Sequence, residues 1–180
     1  HSQKSATDPA FSPDGRYLYY SKDVTPGRIW EYGKNATTEL FNIIRHDLES
    51  GEESYFIGGV GGAIVPTPSP DGRHMAYLKR EDSKSVLYLK DLKTGVDRRL
   101  YTEMERDHQE TFGSEGNFAY FDWMPDGQHL VFWTGGVFHK LNTNSLERSI
   151  IPMHIKAEKL VQKAVRFGVD VAPDQMAIKM

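Results

Sequence analysis

Apolar and aromatic residues recur along the chain in short runs, each introduced by the same turn. After Gly15 the chain reads Tyr17-Leu18-Tyr19-Tyr20. After Gly72 it reads Met75-Ala76-Tyr77-Leu78, and after Gly127 Leu130-Val131-Phe132-Trp133. A strand with one wet face alternates between apolar and polar residues. These runs are apolar in both columns, which predicts strands covered on both faces.

The turn before each run is Pro-Asp-Gly: Pro13-Asp14-Gly15, Pro70-Asp71-Gly72 and Pro125-Asp126-Gly127. Proline pre-sets φ, aspartate tolerates the next position, and glycine accepts the positive φ that closes a hairpin. A fainter Pro173-Asp174-Gln175 ends the series, and successive prolines lie 57, 55 and 48 residues apart. A second signature follows each run: HDLESGE at 46–52, KDLKTGV at 90–96 and HKLNTNS at 139–145. Aligned on Leu48, Leu92 and Leu141, it places Gly51, Gly95 and Asn144 at one turn position, asparagine being the next best residue for a left-handed conformation. Another short strand follows each of these turns.

Strand, turn, strand, loop, strand, turn, strand is thus written three times, with a fourth begun. Four short antiparallel strands per repeat predict an all-β fold, a β-propeller fragment of about three four-stranded blades plus the start of a fourth. The units read as 8–58, with a long insertion at 24–40; 59–103; 104–153, a connector loop and then a blade; and 154–180, the start of a further blade. Apolar spacing over 155–166 also allows a short helix there.

Charge and composition narrow the partners. With 22 basic against 25 acidic residues and a net charge of −3, the chain has no basic run, which disfavours nucleic acid. No stretch reaches the roughly 18 consecutive apolar residues of a membrane helix. With no cysteine, disulfides and thiolate metal sites are excluded.

The pattern SPDG…YLYY…HDLESGE resembles the TolB-like propeller repeat. The ordered set of further motifs is narrower: TPG and EYGK at 25–34, GGVGGAIVPTPSPDG at 58–72, RDHQET at 106–111, FWTGG at 132–136 and AVRFGVDVAPDQMAIKM at 164–180. Together they resemble the TolB-like N-terminal propeller of large bacterial amidohydrolases, over almost the whole chain from Asp8. The resemblance implies an internal segment of a periplasmic parent. Any divalent metal and any metal-dependent hydrolysis would belong to a separate barrel domain, with no cofactor in this segment. It implies a protein or peptide partner, or the rest of the parent chain. Blades cut from their ring are also expected to self-associate when isolated, because their end faces are apolar.

Candidate site residues fall in the two long loops. Trp30 and Tyr32, in the insertion, suit a ligand platform, an interface anchor or a cap on their own blade. Arg106, Asp107, His108, Gln109 and Glu110 hold the densest polar cluster. An i, i+1, i+3 arrangement of Asp107, His108 and Glu110 makes a poor metal cage, so binding or backbone tethering fits better than catalysis. The family pattern tends to an apolar residue at His108, which weakens histidine chemistry further. The glycine run 58–63 lacks the Lys-Ser/Thr ending of a phosphate loop and reads as an inter-blade crossing. Trp123 and Trp133 read as core, and His74 and His129 as surface strand positions beside the turn. No G-x-S-x-G is present. A hydrolytic carboxylate site at the propeller channel would need Asp122, Asp107 and Glu110 to converge.

Overall fold

The computed structural model describes residues 6–25, 39–82, 84–104, 121–154 and 156. Its strands are β1 (Ala6–Phe11), β2 (Tyr17–Asp23), β3 (Phe41–Asp47), β4 (Glu53–Ile57), β5 (Ile64–Pro68), β6 (His74–Glu81), β7 (Lys84–Asp91), β8 (Asp97–Tyr101), β9 (Phe121–Trp123), β10 (His129–Thr134), β11 (Val137–Asn142) and β12 (Arg148–Ile151). They form three four-stranded sheets with sequential antiparallel order: β1–β4, β5–β8 and β9–β12. Each sheet is one blade. The first strands of consecutive blades, β1, β5 and β9, approach one another, and the last strands lie outermost. Those outer strands carry Glu53, Asp97, Arg98, Arg99 and Arg148, charges that discourage further pairing along an exposed edge.

Side chains from facing blades interlock in two clusters. Tyr19, Ile43 and Ile57 of blade 1 meet Met75, Tyr77, Val86 and Tyr88 of blade 2. Ala76, Leu78, Leu87 and Leu89 of blade 2 meet Phe121, Trp123, Leu130 and Phe132 of blade 3. Alternate residues of β6 and β7 therefore feed opposite seams, as the two-residue period of a strand requires. Polar ties cross both seams. Ser21 Oγ accepts the Val65 N–H at 2.9 Å, Trp123 Nε1–H donates to the Thr67 carbonyl at 2.9 Å, and Arg98 donates to the Thr143 carbonyl.

Coverage on both faces holds for blade 2, where Met75, Ala76, Tyr77 and Leu78 are all buried. In blades 1 and 3 the expectation is corrected. Tyr19 and Ser21 are buried while Leu18 and Tyr20 are only partly covered; Leu130 and Phe132 are buried while Trp133 is 36% exposed. Covering a face takes a neighbouring blade, and among the described residues each terminal blade has one. The reading of Trp123 and Trp133 as core holds for Trp123 alone.

A second correction concerns register. Asp47, Asp91 and Asn142 each use Oδ1 to accept the backbone N–H groups two and three residues on. Gly51, Gly95 and Leu146 then return their N–H to the carbonyls of those same residues. The equivalent of Gly51 and Gly95 is thus Leu146, not Asn144, and Leu92 corresponds to Thr143, not Leu141. The turn is organised by its Asp or Asn, and aligning on leucine displaces the third copy by two residues. Leu146 has φ 62°, a conformation that strains a residue with a Cβ. Leu146→Gly is expected to raise stability by roughly 0.5–1 kcal/mol, seen as a higher denaturant midpoint at unchanged slope.

The first strands of blades 1 and 2 share a feature unread in the sequence. The β1–β2 ladder shifts register between Thr7 and Ala10, and β5–β6 between Ile64 and Thr67. Asp8 (φ 55°) and Val65 (φ 56°) occupy the matching positions in these bulges, and a proline follows each.

Residues 58–62, four glycines and Val60, make the crossing between blades 1 and 2, leading to Ala63 and β5. At Gly61, with φ +89°, an added Cβ would overlap the Arg80 carbonyl, while the Arg80 N–H donates to the Gly61 carbonyl at 3.0 Å.

Candidate functional site

Trp30, Tyr32, Arg106, Asp107, His108, Gln109 and Glu110 lie outside the described residues, as does the helical reading of 155–166 apart from Lys156. The Pro-Asp-Gly turns are described in full, and the first two of them frame a cavity between blades 1 and 2.

Each turn is closed by a hydrogen bond from its glycine N–H to the carbonyl three residues back: Gly15 to Ser12 (2.9 Å), Gly72 to Ser69 (2.9 Å) and Gly127 to Met124 (3.0 Å). In the first two, the serine hydroxyl donates to the turn aspartate and accepts the N–H at the start of the next strand, from Tyr17 and from His74. The aspartate Oδ1 also accepts the Arg16 N–H at 3.1 Å, or the Arg73 N–H at 3.0 Å. Met124 replaces serine in the third turn. There Asp126 accepts backbone N–H groups from Gln128 and His129, and its second oxygen meets His129 Nδ1 at 2.7 Å. His74 and His129, read as surface positions, are partly buried: His74 stacks on Trp123 and His129 braces its turn.

These bonds hold the aspartates ionised. The Ser12 hydroxyl and then the Arg16 N–H lower the Asp14 pKa, and Ser69 and Arg73 do the same for Asp71. A folded pKa below the unfolded value gives stability that is complete above the unfolded value and is lost as pH falls through the folded one. Unfolding midpoints are therefore expected to drop as pH falls below about 4. In the double variant Asp14→Asn, Asp71→Asn that drop should be shallower. An unchanged acid profile would remove these turns as its source.

Above the first two turns, the cavity has a volume of about 390 Å³. Its walls are Tyr17, Tyr19, Phe56 and Arg45 from blade 1 and Pro68 and Leu92 from blade 2, with Asp14 and Asp71 at its edge. The rings of Tyr19 and Phe56 lie 5.0 Å apart between centroids, those of Tyr17 and Tyr19 6.3 Å. Arg45 spreads over two of them, its Cζ 4.9 Å from the Tyr17 centroid and 5.3 Å from that of Phe56. Burial raises the Tyr19 pKa despite the nearby Arg45, so the phenol stays a neutral donor.

The cavity exists because of one substitution within the repeat. Pro68 pairs with Met75 and Trp123 pairs with Leu130, each two residues before its turn proline, so the two positions are equivalent. Tyr17, His74 and His129 are likewise equivalent. Between blades 2 and 3, the Trp123 indole stacks on His74 at 6.4 Å and fills the space. Between blades 1 and 2, a pyrrolidine stands where the indole would be, and the space opposite Tyr17 stays open. The sequence carries this signal in the two stretches PSPDG and WMPDG, but only a fixed blade register makes it legible.

A second concavity belongs to the uncovered face of blade 1. It measures about 420 Å³ and is lined by Leu18, Tyr20, Lys22, His46 and Glu53, with the Tyr20 hydroxyl donating to Glu53 at 2.6 Å. Phe11 stands exposed on this same side, at 64%.

No protein-family model matches the sequence, and no curated protein matches it. Solved structures do. TolB from Acinetobacter baumannii superposes with a TM-score of 0.57 at 21% identity, over 83% of this chain and 33% of TolB. The β-propeller domain of the Trilobed protease from Pyrococcus furiosus gives 0.53 at 16%, over 84% of this chain and 45% of the domain. Acylaminoacyl peptidase from Pyrococcus horikoshii gives 0.53 at 16%, over 83% of this chain and 24% of the peptidase. The chain thus spans about a third of the TolB it matches. At such identities the likeness speaks for the fold alone. The fold is that of a TolB-like β-propeller, three consecutive blades of which make up the described residues.

Proposed function

We propose that the chain is a non-catalytic interaction and scaffold module, a run of blades belonging to a larger TolB-like propeller. The pair of uncovered faces carries this reading. In blade 2, the columns of Met75 and Tyr77 on one side and Ala76 and Leu78 on the other are sealed by neighbours. Blade 1 presents Phe11, Leu18 and Tyr20 in the first set of columns, and blade 3 presents Val131, Trp133 and Phe138 on the second side. Each face fits a further blade from the parent chain. The ordered motifs support an amidohydrolase-like parent in the periplasm, with any divalent metal in its separate domain. The TolB-like repeat motifs equally suggest a cell-envelope protein that binds partner proteins or peptides, and the net charge of −3 disfavours nucleic acid. Among the described residues no helix is long and apolar enough to cross a membrane. The channel-hydrolase alternative draws little support from the two inner-strand carboxylates described. Asp8 accepts the Thr7 hydroxyl and Asp122 the Trp123 N–H, both local bonds.

Among the described residues nothing covers these two faces, and in isolation another copy can meet them. Light scattering over a concentration series is expected to give a dimer or larger species. The double variant Leu18→Lys, Trp133→Lys should shift it towards monomer. A monodisperse wild-type monomer at high concentration would defeat the proposal.

A further inference from the structure

We propose that the cavity between blades 1 and 2 is a binding site for a carboxylate attached to a bulky apolar residue, in the manner of a peptide C-terminus. Three observations define the chemistry. The first is shape: the cavity's volume falls within the range of small-ligand sites, and its floor is aromatic. It lies between blades, so a rigid wall stands on each side.

The second is charge. Two arginines lie over the Tyr17 ring. Arg16 gives its guanidinium to Asp47 at 3.0 Å, whereas Arg45 has no carboxylate within ion-pairing distance among the described residues. Arg45 is partly buried, with its guanidinium carbon over the rings of both Tyr17 and Phe56. A guanidinium packed against two rings has lost much of its freedom already, and its fork of N–H donors suits a carboxylate.

The third is the acidic rim. Asp14 and Asp71 each commit Oδ1 to their own turn. Among the described residues the second oxygen of each makes no hydrogen bond, and both residues line the cavity, where they can accept a donor. An amide N–H adjoining the bound carboxylate is such a donor; the two aspartates repel any carboxylate near them, which leaves Arg45 as the place for the ligand's own. Carboxylate to Arg45, apolar side chain against Tyr17, Tyr19 and Phe56, and amide N–H to the rim together describe the last residue of a peptide. A small acylated amino acid shares this chemistry.

The test uses the full chain and N-acetyl-phenylalanine as probe, followed by NMR chemical shifts and calorimetry. The acid is expected to bind and to move signals of Tyr17, Tyr19 and Phe56, with N-acetyl-phenylalanine amide at least tenfold weaker. Arg45→Gln should weaken the acid about tenfold or more, as expected for loss of a charge-assisted pair. Pro68→Trp, which copies the Trp123 arrangement, should abolish binding in a folded protein. A heptapeptide ending in phenylalanine separates the sources: tighter binding than the small probe assigns the site to chain termini, equal binding to small acids. Failure of the acid to bind at millimolar concentration, equal binding of acid and amide, or undiminished binding by Pro68→Trp would each overturn the proposal. None of these depends on whether the chain self-associates.

Discussion

Replacing Gly61 by alanine is expected to lower the unfolding free energy by about 3 kcal/mol or more, through two separate costs. The backbone there has φ +89°, which a residue with a Cβ adopts only at roughly 1–2 kcal/mol. The added Cβ would also overlap the Arg80 carbonyl, part of the β6 backbone and unable to swing aside as a side chain would. Moving it breaks the hydrogen bond from the Arg80 N–H to Gly61 and loosens the crossing from blade 1 to blade 2. Gly59 supplies the control. Its φ is +93°, and a Cβ there meets nothing within 4 Å, so Gly59→Ala isolates the conformational cost. Denaturant midpoints for the two variants give the difference. If Gly61→Ala proved as mild as Gly59→Ala, the close packing of the crossing on β6 would be refuted.

Phe132→Ala is expected to cost about 3–5 kcal/mol, a large share of the total stability of an ordinary domain. The ring is fully buried in the seam between blades 2 and 3, 4.8 Å from Tyr101 and 5.5 Å from His139 between centroids. Truncation removes its contacts and leaves a cavity that two opposed sheets cannot close. Trp133, the next residue, points to the uncovered face, and Trp133→Ala should cost less than about 1 kcal/mol in dilute solution. The ordering of this neighbouring pair reads out which face of blade 3 is sealed. A larger loss at Trp133 would contradict the arrangement of the blades, or mean that the open face is covered by another copy.

Local chemistry makes the blades legible in the sequence. Pro-Asp-Gly sets its own hairpin, so the turns at Gly15, Gly72 and Gly127 and the four-strand unit around each can be read without any long-range information. What escapes such a reading depends on neighbours, or on atoms rather than residue types. Leucine is a false marker for the third outer turn, because the Oδ1 of Asp47, Asp91 and Asn142 organises it. The exposure of Trp133 is hidden because apolar columns declare what a face is made for, not whether a blade covers it. The inter-blade cavity is invisible because it arises from the pairing of Pro68 with Tyr17 across two blades. The paired Asp8-Pro9 and Val65-Pro66 bulges leave a sequence trace, a repeated X-Pro ahead of the first two turns, whose meaning needs the backbone angles. The loop residues Trp30, Tyr32 and 106–110 remain expectations from residue type.

The two interlocking clusters share no side chain, although both draw on β6 and β7. Free energy in such a molecule is mainly a chain of nearest-neighbour couplings, with the middle blade as the chief link among the described residues, although Phe41 of blade 1 also reaches the second cluster. A fault at one seam weakens that seam and leaves the other intact, so the protein can lose an end blade without melting through. The same independence lets a propeller of this kind change one interface, as Pro68 for tryptophan does here, while the rest of the ring goes on as before.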